Sequence, residues 1–89
     1  MTDANIARVK AQVGAVVAEL EEVLAALTSA RNALDEAVRG VDAALGTDTV
    51  HEAALAGHGH LDQASDEIES ARASILAART RYETYISAI

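Results

Sequence analysis

His51, Glu52, His58, His60 and Asp62 are the one concentration of metal-ligating and acid–base side chains in this chain of 89 residues. Zinc takes three or four such ligands, at about 2.0–2.1 Å from histidine nitrogens. Histidine also titrates closest to neutral pH, so the same cluster could work as a proton switch. The spacing limits both ideas. His51 and His58 are seven apart and share a face of a continuous helix, whereas His60 points elsewhere unless Gly57 and Gly59 bend the chain. Two ligands do not make a site, and large histidines opposite Ala37 and Ala44 read as space-filling. The sequence therefore predicts no bound metal, with His51, His58 and His60 as the residues one would have to use. Protonating them near pH 6 is expected to put positive charge beside the helix seam and loosen the turn end.

Other chemistry finds less support. The chain has no cysteine, and Ser29, Ser65, Ser70, Ser74 and Ser87 lie in helical sequence without the strand-to-helix elbow or paired base that activates a serine. No Glu-x-x-His unit of the di-iron bundles occurs, and no glycine-rich phosphate loop follows a strand. Arg31, Arg72 and Arg79 could receive an anion, but nearby carboxylates make them ion-pair partners first. The reading is a protein with no catalytic residue and no cofactor.

The elements that carry these residues announce themselves by period. Ile6, Val13, Leu20, Leu27, Leu34 and Val41 repeat every seven residues, as do Ala54, Leu61, Ile68, Ile75, Tyr82 and Ile89. Taken from opposite ends, the numbers of each facing pair add to ninety-five. The centre of that mirror falls in Gly46-Thr47-Asp48-Thr49, the strongest turn signal away from the termini. An all-α fold follows: two long antiparallel helices, about 3–45 and 49–88, closing as a coiled-coil-like hairpin with a turn at 46–49. Gly46 suits the left-handed helix end. Thr49 through Glu52 reads as a capping box, and Gly57 and Gly59 mark a kink at 57–60 within a single domain, 1–89.

Composition agrees. Apolar residues make up 51% of the chain, yet they are Ala, Leu, Val and Ile, with two tyrosines, no Phe, no Trp and no Pro. Such a chain builds thin layers between long helices rather than a broad core. A second stripe, three residues after each leading position, runs Val9, Val16, Val23, Ala30, Ala37 and Ala44 on the first helix and Gly57, Ala64, Ala71 and Ala78 on the second. Its small residues are expected to let the backbones approach, with Tyr82 and Tyr85 filling the wider open end. Glu22 is expected beside Arg72, and Glu19 near Arg79.

That seam leaves Val17, Leu24, Val38 and Leu45 on a flank of the first helix, and Leu55 and Leu76 off the seam of the second. Uncovered apolar side chains of this size call for a partner. The expectation is a homodimer forming a four-helix bundle, with a larger protein partner besides. A net charge of −7, with only seven scattered basic residues, argues against nucleic acid and against an anionic membrane surface. No segment approaches the roughly 20 apolar residues of a membrane span. Met1 through Asn5 shows neither the basic region nor the apolar run of a signal peptide. A cytoplasmic protein is expected, with leaderless secretion as the other route.

The turn segment Ala44-Leu45-Gly46-Thr47 and the tail from Ala77-Ala78-Arg79 through Tyr82, Tyr85, Ile86 and Ile89 resemble, together with the length and acidity of the chain, the small helical-hairpin proteins of actinobacteria. These include the Trp-x-Gly type VII secretion substrates and relatives associated with polymorphic toxins. The chain departs from the pattern in having no Trp before Gly46 and no acidic residue four positions after Tyr82. The resemblance implies hairpins that pair into four-helix dimers, and it carries no functional residue across. The function expected is a non-enzymatic interaction module of structural, adaptor or chaperone-like kind beside a secretion or toxin system. Its alternatives are a secreted type VII-like effector or partner, and a small histidine-based metal-binding or pH-responsive protein.

Overall fold

Residues 2–46 and 51–89 are described by a computed structural model. They form two helices, α1 (Thr2–Leu45) and α2 (Glu52–Ala88), of 44 and 37 residues. No proline interrupts either helix, and alanine and leucine supply propensity throughout. At about 1.5 Å per residue α1 alone spans about 66 Å, and the molecule measures 70 × 16 × 14 Å. Three side-chain pairs fix the direction of packing: Glu21 with Arg79, Arg31 with Glu69 and Asp42 with His58. Positions rise along α1 as they fall along α2, so the all-α antiparallel hairpin expected from the mirrored heptads is the fold.

Gly46 ends α1 as its position suggests. Its φ of 62° is left-handed, and its N–H donates to the carbonyl of Asp42 at 3.0 Å, closing the last turn. Thr47, Asp48, Thr49 and Val50 lie outside the described residues, and the predicted Thr49 cap lies with them. The second helix starts later than the expected residue 49. His51 is extended (φ −78°, ψ 121°) and its side chain makes no capping bond, while its carbonyl accepts the first helical bond from the Leu55 N–H at 3.0 Å. Glu52 is thus the first helical residue rather than the third, and its carboxylate meets the positive end of the helix dipole directly.

Helix α2 runs through Gly57 and Gly59 without a break. A Cβ built at Gly14, Gly40, Gly57 or Gly59 meets nothing within 4 Å. The idea that Gly57 is small so that the helices can approach is therefore not what the hairpin needs: the space beside it is open. Replacing Gly57 with alanine is expected to stabilise the protein by about 0.5–1 kcal/mol through helix propensity and unfolded-state entropy. Gly46→Ala, forced into a left-handed conformation, is expected to cost about 1–2 kcal/mol. Urea unfolding of the two variants reads both signs, and a loss of stability in Gly57→Ala would show that a neighbour does fill that space.

Candidate interaction surface

Half-burial marks the faces that the two helices turn toward each other. On α1 it falls on Ile6, Val13, Leu20, Leu27 and Leu34, on Val17, Leu24, Val38 and Leu45, and toward the open end on Val9 and Gly14. On α2 it falls on Ala54, Leu61, Ile68 and Ile75, on His58, Ser65, Arg72, Arg79 and Ile86, on Ala64, Ala71 and Ala78, and on Glu69. The seam thus alternates steps of four and three residues, the spacing of helices packed knobs-into-holes.

This placement corrects the expected surface. Val17, Leu24, Val38 and Leu45 belong to the seam, not to an uncovered flank, whereas Val16 and Val23 stand 42% exposed. Both stripes flank the leading positions, and the second is apolar except at Lys10 and Arg31, so the mirror alone does not choose between them. Size does: past its midpoint the first stripe is only alanine, while the second keeps Leu24, Val38 and Leu45, and packing the larger side chains removes more area from water. Leu55 and Leu76 do lie off the seam, at 54% and 38% exposure.

Some leading positions escape cover. Val41 is exposed, and Ile89 lies past the last helical residue. Tyr82 and Tyr85 do not fill the open end but remain exposed, their rings outreaching a seam one helix deep. Ile6, Val9, Tyr85 and Ile89, with Asn5, instead line a shallow groove there of about 350 Å³.

The second stripe also settles where the charges meet. Arg79 Nη1 donates to Glu21 Oε1 at 2.7 Å, and Arg31 Nη1 to Glu69 Oε1 at 2.6 Å. Arg72 is held by Glu69 at 3.1 Å on its own helix, and Glu83 Oε1 lies 3.3 Å from Arg79 Nε without the alignment of a hydrogen bond. The expected pairs Glu22–Arg72 and Glu19–Arg79 do not form, because Glu19 and Glu22 sit on the far side of α1 from this flank. The stems of Arg72 and Arg79 instead lie in the seam and cover it with methylenes. Partial exposure keeps each pair to about 0–1 kcal/mol.

His58 donates from Nε2 to Asp42 Oδ1 at 2.7 Å, across the helices. A carboxylate of α1 thus stands beside this ring, in addition to the alanines expected opposite it. His51, at the start of α2, and His60 are exposed, and among the described residues no three His, Asp or Glu side chains converge. Thr28, Thr80 and Thr84 spend their hydroxyls on backbone carbonyls four residues back. Among the described residues, no helix is long and apolar enough to cross a membrane.

No family model, curated protein or solved structure matches the chain. The surface itself is then the guide to function, and its parts differ: one side of the hairpin carries the three cross-helix charge pairs, and the other carries the exposed Val16 and Val23, with Glu19, Glu67 and Arg81 bordering them. Glu21, Asp42 and Glu69, the acidic partners, were not singled out by sequence reasoning, although placing Val17 and Leu24 in the seam puts all three on its charged flank. Leu24→Ala is expected to destabilise the protein by about 1–2 kcal/mol and Leu55→Ala by less than about 0.5 kcal/mol. Equal losses in denaturant titration would return Leu24 to the outer surface.

Proposed function

We propose that this chain is a non-enzymatic interaction module, a helical hairpin of structural, adaptor or chaperone-like kind that completes its core against another helical surface. One observation carries the reading: among the described residues not one is buried. The accessible surface is 6423 Å², against about 4,900 Å² for a compact monomer of this mass. The radius of gyration is 20.2 Å, against about 12 Å for a compact chain of this length. Two helices shade each other on one face, and the exposed Val16, Val23, Leu55, Leu76 and Tyr85 are left to another surface.

The turn and tail residues that resemble actinobacterial hairpin proteins support a setting beside a secretion or toxin system. A module of this kind is most stable in its assembly, so its melting temperature depends on concentration. For association into a two-chain unit, melting is expected to rise by about 4 °C per tenfold increase in concentration. Calorimetry of the full chain over two decades of concentration checks this. A sharp transition at one temperature throughout, with added partner proteins leaving it unmoved, would mean that the hairpin is complete by itself.

A further inference from the structure

Val16 and Val23 stand 42% exposed on α1, and the charges around them define the kind of surface that covers them. Their row runs beside Ala64, Ala71 and Ala78 of α2, since Val9 and Tyr85, the members of the two rows at the open end, line one groove. The alanines are already half-buried, so the valines and Tyr85 are the larger apolar side chains that this flank leaves uncovered. Three charged residues border the rows: Glu19, Glu67 and Arg81. Each lies three residues after one member of its row and four before the next, the spacing of neighbours on a helix surface. All three are exposed, and among the described residues none of them makes an ion pair. On the opposite flank, by contrast, Glu21, Asp42, Glu69 and Glu83 already hold partners within the chain.

Resting on the interaction-module reading, we infer that this flank is the docking face for a helix of a different protein, apolar along one stripe and charged in the complementary order. The offset of the two helices fixes that order. Glu21–Arg79 brings Glu19 level with Arg81 on opposite edges of the flank, and Arg31–Glu69 sets Glu67 about 20 Å nearer the turn. The occupant therefore places a lysine or arginine against Glu19 and an acidic residue against Arg81. Two heptads along, on the edge that faces Arg81, it carries a second basic residue against Glu67. Its apolar stripe lies on Val16 and Val23, whose modest size lets helix axes approach within about 8–10 Å. Opposite potentials across such a face select the partner and its direction more than they add affinity. The net charge of −7 draws the basic side chains in from a distance.

Titration calorimetry of the full chain against two synthetic helical peptides tests the assignment, in about 150 mM sodium chloride, where charges are screened beyond about 8 Å. Both peptides carry the same stripe of leucine and alanine over about four heptads. One bears the complementary charges, and the other has each of them reversed. The complementary peptide is expected to bind at least about tenfold tighter. Glu19→Lys/Glu67→Lys/Arg81→Glu is expected to exchange the preference. Glu36→Lys/Asp66→Lys/Arg39→Glu, an equal change in net charge at exposed residues off this flank, is expected to keep it. If either variant loses its helical circular dichroism, a nitroxide on the complementary peptide decides in the native chain, broadening the methyl signals of Val16 and Val23 and sparing Leu55 and Leu76. Equal affinity for the two peptides, a preference that follows net charge alone, broadening of the leucines instead, or a second copy that shields the valines and is not displaced overturns this inference. Each of those results still leaves the chain engaging a helix, so the interaction-module reading stands. Binding of neither peptide also overturns the inference, and it removes the module reading only when the melting temperature is the same at every concentration and with added partner proteins.

Discussion

A helix pair can shade itself on one face only, and everything in this protein follows from how that single seam is filled. The four–three spacing gives each helix one apolar face, and mutual packing takes those faces to half-burial and no further. In a wider domain a third layer would finish the job. Here, among the described residues, hydrophobic stabilisation is drawn entirely from side chains that keep some contact with water.

The two flanks of the seam divide the remaining tasks. The charged flank sets alignment: Glu21–Arg79, Arg31–Glu69 and Asp42–His58 each join helices with the same offset, so a slip of one heptad breaks all three together. Individually such pairs contribute little, but a shared offset makes them a register device. The flank of Val16 and Val23 has no cross-helix ion pair among the described residues. A truncation at Leu24, inside the seam, acts on the hairpin itself.

Much of the fold was legible because a hairpin is written in periodicity. The leading heptads located the helices and their direction, and the Gly46 turn followed from backbone conformation that glycine alone adopts readily. The surface was harder to read. Val16 and Val17 are neighbours in sequence on opposite flanks of the same leading row, and choosing between them depends on the summed size of residues far along the helix. Taking the wrong flank misplaced Val17, Leu24, Val38 and Leu45 and, by the same rotation, sent Arg72 and Arg79 to Glu22 and Glu19 instead of Glu69 and Glu21. The His58–Asp42 pair went unforeseen for a related reason: Asp42 faces His58 only once the charged flank is known.

As an interaction module, the hairpin has a seam too thin to be the whole of the protein's stability. Amide hydrogen exchange, followed residue by residue at about 100 μM and again at about 0.1 μM, tests it most directly, because exchange reports the free energy of opening at each site. Protection at Leu20, Leu27, Ile68 and Ile75 is predicted to fall together on dilution, as the cover that completes the seam is lost. Protection at these four residues that is the same at both concentrations would contradict the claim and make the isolated hairpin a finished fold.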